Sequence, residues 1–435
     1  MNLESLIARV QDLRLERVRG RVTQVVGTVV EAEIPGVTVG GLCRIGDSVE
    51  AEVVGFRGEK ALLMPLDTIG GVGFGTPVEA LDGAVRVGLC PELVGRVLDA
   101  LGRPIDGGAP LSPVVHRPID SDPPDPMKRS IVSTPLQTGV RVIDGLLTLG
   151  KGQRVGVMAG SGVGKSTLMG MLARNTRADM NVICLVGERG REVREFIERD
   201  LGPEGLARSV VVVVTSDKSP VLQAKGAFTA TTIAEYFRDQ GLDVMLMMDS
   251  VTRFAMAQRQ IGLAAGEPPT RGGYTPSVFS LLPRLLERSG PGIGGGSITA
   301  VYTVLVEGDD VHDPIGDAVR GIVDGHIVLS RKLASMGHYP AVDVLQSVSR
   351  TMPAVSEEAQ LDAASALRRL LAIWAENEEL VRLGAYRKGS SAEVDEAIDK
   401  RPLLDTLLRQ KVGETTPLAD TVMAMQRIAA WEGPG

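Results

Sequence analysis

Cysteine is almost absent. Cys43, Cys90 and Cys184 stand far apart and are odd in number, so neither a zinc cluster nor a disulfide framework can be read from them, and a reducing compartment fits. Aromatic residues make up only 3%. No uncharged apolar run reaches the roughly 20 residues needed to cross a bilayer, and no leader pattern opens the chain. A cytoplasmic protein that touches a membrane only peripherally is expected. Basic charge is not in excess either: 47 Lys and Arg face 54 Asp and Glu, for a net charge of −7. That balance argues against a dedicated nucleic-acid binder. Two of the four histidines, His312 and His338, lack ligand spacing and read as loop or helix-cap residues. What abounds is glycine, 52 of 435 residues, about 12% against a usual ~7%; it signals tight turns and close backbone approaches. A chain of this length exceeds one ordinary core, so two or three domains are expected.

The chain is organised around Arg154–Thr167. An apolar strand leads into Gly160-Ser161-Gly162-Val163-Gly164-Lys165-Ser166-Thr167, and a helix follows. This is a P-loop in its strand–loop–helix context, relaxed at its first glycine, which is Ala159 here. Glycines let backbone N–H groups curl around phosphate oxygens, and the helix N-terminus adds partial positive charge. Lys165 then reaches the β- and γ-phosphates, and the Ser166 hydroxyl suits Mg2+.

Around this centre the pattern changes along the chain. Leu3, Leu6, Ile7, Val10 and Leu13 fall on one face of an N-terminal amphipathic helix. It either packs on its own domain or docks a partner or membrane surface. Arg21–Ile34, Gly41–Ile45, Ser48–Phe56 and Lys60–Pro65 are short β-rich runs between turn signals, the pattern of a small barrel. With few aromatics and no basic cluster, that barrel lacks stacking platforms for nucleic acid. Pro113–Pro126 reads as an extended, proline-rich linker. Asn181–Val186, Val210–Thr215, Val244–Met248, Ile298–Val304 and Ile327–Leu329 are strands alternating with helices, which predicts a parallel sheet covered on both faces. From Ser356 the signal is helical, over Glu357–Leu383, Ala392–Lys411 and Ala419–Trp431.

Several residues can carry chemistry on this scaffold. Asp249 ends the strand Val244–Met248 at the position where α/β sheets bind ligands, and can hold Mg2+. Glu188 follows the strand Asn181–Val186; it either polarises the water that attacks the γ-phosphate or is a turn acid paired with Arg189. Arg253 either faces the phosphates from the next helix's first turn or is a surface arginine. Arg350, in Gln346-Ser347-Val348-Ser349-Arg350, either reaches a neighbour's phosphates as a finger or forms a salt bridge at the domain junction.

Gly160–Thr167, Gly187–Glu192, Met248–Phe254 and Tyr339-Pro340-Ala341-Val342-Asp343 together resemble the catalytic-subunit lineage of rotary ATP synthases. Asp249–Arg259 and Gly262–Phe279 narrow the resemblance to type III export ATPases. Gly337-His338-Tyr339-Pro340 and Leu383-Gly384-Ala385-Tyr386 favour the flagellar branch over the injectisome branch. The resemblance implies an α/β fold: a docking helix over 1–18, a β-barrel over 19–84, a RecA-like ATPase core over 85–355 and a helical domain over 356–435. It implies ATP and Mg2+ as ligands, with Lys165 and Ser166 on phosphate and metal and Asp249 at the metal. Glu188 becomes the catalytic carboxylate, Arg189 and Arg253 lie near the phosphates, Tyr339 stacks on the adenine, and Arg350 is the finger given to the next subunit. It also implies a homohexameric ring at the flagellar base, beside the inner membrane. The implied partners are a regulatory dimer on the first helix, a coiled-coil stalk gripped near Glu267, export-gate membrane proteins, and export substrates with their chaperones.

Three rival readings are weaker. The catalytic subunit of a rotary synthase usually carries an acidic run in its helical domain, and 356–435 has none. An RNA translocase with this core needs a basic, aromatic N-terminal domain. A non-enzymatic nucleotide-binding subunit typically has an amide in the position of Glu188. The expected function is therefore ATP hydrolysis coupled to type III export of flagellar proteins, with an injectisome secretion ATPase or a rotary synthase catalytic subunit as the alternative.

Overall fold

The computed structural model describes residues 18–81, 83–306 and 313–431. The expected N-terminal helix, through residue 17, and His312 lie outside them.

Six strands, β1 (Arg19–Val26), β2 (Val29–Glu33), β3 (Leu42–Ile45), β4 (Val49–Arg57), β5 (Lys60–Pro65) and β6 (Pro77–Ala80), close into a barrel in the order β1-β2-β5-β4-β3-β6. Alternation along the strands buries Val22, Val30, Ala32, Val53, Leu63 and Val78 inside it. The run expected as one strand, Arg21–Ile34, is a hairpin that reverses at Gly27-Thr28. Apolar β-formers flank that turn on both sides, so the hydrophobic pattern shows no gap there. Within the proline-rich stretch, Val115–Pro118 is extended, as its prolines require, and pairs antiparallel with Arg86–Leu89.

The core runs α1 (Arg141–Leu146), β7 (Arg154–Ala159), α2 (Lys165–Asn175), β8 (Met180–Glu188), α3 (Gly190–Glu195), β9 (Ser209–Thr215), α4 (Pro220–Arg238), β10 (Asp243–Asp249), α5 (Val251–Ala265), α6 (Pro276–Leu286), β11 (Ser297–Leu305), β12 (Gly325–Leu329) and β13 (Val342–Ser349). The sheet order is β13-β12-β7-β11-β10-β8-β9, with the short strand Val97–Leu98 beyond β9. Pairing is parallel from β12 to β9, and β13 is antiparallel at the edge. The central strands are apolar through most of their length because both faces are covered. Ile233, Phe254 and Leu282, from α4, α5 and α6, cover one face. Leu168 and Leu172 of α2 cover the other.

The helical domain is α7 (Glu358–Arg382), α8 (Ala392–Leu408) and α9 (Leu418–Ala430). Its Leu367, Leu404 and Met425 belong to the same hydrophobic cluster as α1 and α2; each such burial contributes roughly 1.5–3 kcal/mol. The helix expected over Ala392–Lys411 stops at Leu408, and Arg409 is extended. The Arg141 guanidinium donates to the carbonyls of Leu407 (3.0 Å) and Thr406 (3.4 Å), which satisfies terminal acceptors that a continued helix would otherwise use.

Candidate active site

The carboxyl ends of β7, β8 and β10 meet at one edge of the sheet, and each delivers one residue. Gly164, with φ of 92°, ends the loop after β7 and starts α2, so that Lys165 is the first helical residue. Asp249 is the last residue of β10 and is buried. In the β8–β10 register Leu185 stands opposite Asp249, and the chain then bulges at Gly187 before Glu188. Arg253 requires that glycine. A Cβ on Gly187, whose φ is 69°, would lie 2.9 Å from Arg253 Cβ, so the arginine stem packs directly on the turn carrying Glu188.

Lys165 Nζ ion-pairs with Asp249 Oδ1 and lies 3.7 Å from Glu188 Oε1. Thr303 Oγ1 on β11 donates to Asp249 Oδ1 at 2.8 Å and fixes that carboxylate. Burial pushes the Glu188 carboxyl up to about 7; the Lys165 charge opposes this, while Asp249 and Glu192 reinforce it. Glu192 is held below its usual range, chiefly by its hydrogen bond with Glu188. Arg253 sits in the first turn of α5, where Ser250 Oγ accepts from its backbone N–H. Its Nε is buried with no hydrogen-bond partner among the described residues, which suits a group reserved for an anion. Ser166 supplies a hydroxyl and Asp249 a carboxylate, hard oxygen donors of the kind Mg2+ takes, so the residues present fit that metal.

Tyr339 stands across the loop. A Cβ on Gly164 would lie 3.3 Å from Tyr339 Cε1, so the ring rests on the P-loop backbone. Tyr339 is 45% exposed and faces a cavity of about 1000 Å3 bounded by Gly162, Gly164 and the segment Arg409–Val412, a size that takes a nucleotide. The peptide bonds Asp249–Ser250 and Tyr339–Pro340 are cis.

Two expected residues are not brought to this centre. Arg189 points into solvent and pairs with Glu192 at 2.9 Å, not with Glu188; as the residue before α3 it is turned outward by the helix that begins at Gly190. Arg350 follows β13 at the opposite edge. Its N–H donates to the Asp324 carbonyl, and the Asp324 N–H donates to that of Arg154, the first residue of β7. The length of β7, roughly 17 Å, separates it from its own P-loop. Glu267 Oε2 accepts from the Ser277 N–H at 3.0 Å and so caps the start of α6. The residues that sequence reasoning missed are Thr303, hidden inside an apolar strand, Glu192, signalled only by its helical spacing from Glu188, and Arg409–Lys411, which read as helix, with Val412 just beyond them.

Residues 139–349 match the family model described as ATP synthase alpha/beta family, nucleotide-binding domain. Residues 356–427 match the T3SS EscN ATPase C-terminal domain. The flagellum-specific ATP synthase of Bacillus subtilis (strain 168) is 52% identical, over 99% of this chain and 100% of that protein. The type 3 secretion system ATPase of Xanthomonas euvesicatoria is also 52% identical, over 97% and 96%. Among solved structures, the assembled ATPase EscN from the enteropathogenic E. coli type III secretion system superposes with a TM-score of 0.91 at 44% identity, covering 94% of this chain and all of that one. The same ATPase in complex with its central stalk EscO gives 0.88 at 43% identity, again over 94% of this chain and 100% of that one.

Proposed function

The chain belongs to the ATP synthase alpha/beta family, among its flagellum-specific and type III secretion ATPases, and from that premise we propose that it hydrolyses Mg-ATP as a homohexameric ring to drive export of flagellar proteins. The observation that carries the chemistry is the half-buried Glu188 carboxylate beside Lys165 and one strand from Asp249. Glu188 takes a proton from the attacking water as the water adds to the γ-phosphorus and the bond to the β-phosphate oxygen breaks. Lys165 leaves its carboxylate partners for the phosphate oxygens, and Arg253 donates its unpaired Nε to the transferring group. Ser166 and Asp249 would hold Mg2+, which would supply neutralisation of the phosphate charge. Arg350, remote from its own site, serves the neighbouring one. Tyr339 takes the adenine face.

EscN's assembly with its central stalk supports a central stalk within this ring as well. The flagellar assignment follows the Gly337–Pro340 and Leu383–Tyr386 motifs; the injectisome is the second reading, since relatives of both kinds are 52% identical. Affinity purification from the native cell, with the export-gate proteins, regulatory dimer and stalk identified by mass spectrometry, tests the choice. Flagellar basal-body proteins support it, and exclusive recovery of injectisome components overturns it.

A further inference from the structure

Gln410 is the buried residue through which the helical domain meets the nucleotide cavity. It lies two residues beyond α8 and is 5% exposed. Its backbone N–H donates to the Tyr339 carbonyl at 2.9 Å. Its Oε1 accepts from the Arg141 N–H at 2.8 Å, and its Nε2 donates to the carbonyls of Gly139 and Glu414, both at 2.8 Å. Only a primary amide satisfies that set, since a carboxylate would face two carbonyl oxygens. Arg141 locks the same segment, donating to Leu407 O and Thr416 Oγ1 at 3.0 and 3.2 Å. Arg409 Nε adds a contact of 3.4 Å to His338 Nδ1, next to Tyr339. The tyrosine ring lies on Gly164 of the P-loop, so its backbone is held from behind by Gln410 while its ring faces the cavity.

We infer that Gln410 is a positioning residue for the base half of the nucleotide site: it holds Tyr339 against the segment that leads into the P-loop strand, so the helical domain responds to the base while the P-loop takes the triphosphate. With both Nε2 protons and Oε1 already engaged, Gln410 acts through Tyr339 and not by touching the base. The inference rests on the nucleotide reading above.

The test compares two ligands with the same phosphate chain, MgATP and magnesium tripolyphosphate, which has no base. Binding of each to the full-length chain is measured by calorimetry for wild type and for Gln410→Met, which keeps the volume and the backbone N–H bond to Tyr339 but loses the side-chain bonds to Arg141, Gly139 and Glu414 that fix that backbone in place. The expected result is ATP affinity weakened about tenfold, the size of a lost buried hydrogen-bond set, with tripolyphosphate affinity unchanged, and KM raised with kcat retained. Equal weakening of both ligands, or no weakening of ATP, overturns the inference. A measurement on wild type covers the case in which the variant does not fold: ATP slows hydrogen exchange at the Gln410 amide and through 409–414, and tripolyphosphate does not. Identical protection by the two ligands, or none by either, overturns the inference while leaving nucleotide binding standing. A wild-type chain that binds neither ligand overturns the nucleotide reading itself, and this inference with it.

Discussion

Lys165 Nζ lies 3.7 Å from Glu188 Oε1 while paired with Asp249 on another strand, so one ammonium serves a buried and a half-buried carboxylate. Asp249 has a second anchor in Thr303, and Glu188 has Glu192 at its back. Replacing Glu188 by Gln keeps the shape and removes the proton acceptor. Glu188→Gln is expected to bind MgATP normally and to turn over roughly 10²–10⁴-fold more slowly, as read by nucleotide binding and phosphate release on the same preparation. Turnover near wild type would leave Glu188 a turn acid.

The pH profile follows from the same carboxyl. Burial raises it from 4.5 to about 7, and the active form is the carboxylate. The protonated, inactive form therefore dominates below that value. kcat/KM is expected to fall about tenfold per pH unit below about 7 and to level off above it. The limb should vanish from the residual activity of Glu188→Gln; a profile flat from pH 5.5 to 8 (about the range in which a base of this kind titrates) contradicts the assignment.

Arg350 is remote from its own P-loop: its N–H donates to the Asp324 carbonyl just before β12, Asp324 in turn bonds Arg154 at the start of β7, and Lys165 follows the other end of β7. Arg350→Ala rings and Glu188→Gln rings should each lose about 10³–10⁵-fold or 10²–10⁴-fold in rate. Mixed together, they should regain activity, since some interfaces then join an intact Glu188 to a neighbour's intact Arg350. Wild-type chains at full turnover while light scattering shows only monomer would exclude action in trans.

Away from the site, Arg288 is fully buried on Glu235, with Nε–Oε1 and Nη2–Oε2 distances of 2.9 and 2.6 Å. Glu235→Ala leaves that cation unpaired and should cost about 3–5 kcal/mol of stability, whereas Glu235→Ala with Arg288→Met should recover much of the loss. Urea unfolding midpoints measure both, and a single variant as stable as wild type refutes the claim.

The sequence alone was enough for the P-loop, for Asp249 and Glu188 as strand-end carboxylates, and for the alternation that makes a covered parallel sheet. Those features are local: a glycine pattern, an acid after an apolar run and a period of burial are each written within a few residues. The hairpin at Gly27-Thr28 was not legible, because its turn leaves the hydrophobic pattern unbroken. The end of α8 was not either, because Arg141 stops it from more than 260 residues away. Arg189 and Arg350 share a charge and a motif-like setting with Arg253, and only the tertiary structure separates them: one faces solvent, one lies a strand's length from its own P-loop, and one packs on Gly187 with a buried, unpaired Nε. Sequence names the groups able to meet a phosphate, but the distances among strand ends decide which of them do, and those distances arise from sheet order and long-range hydrogen bonds that no local pattern encodes.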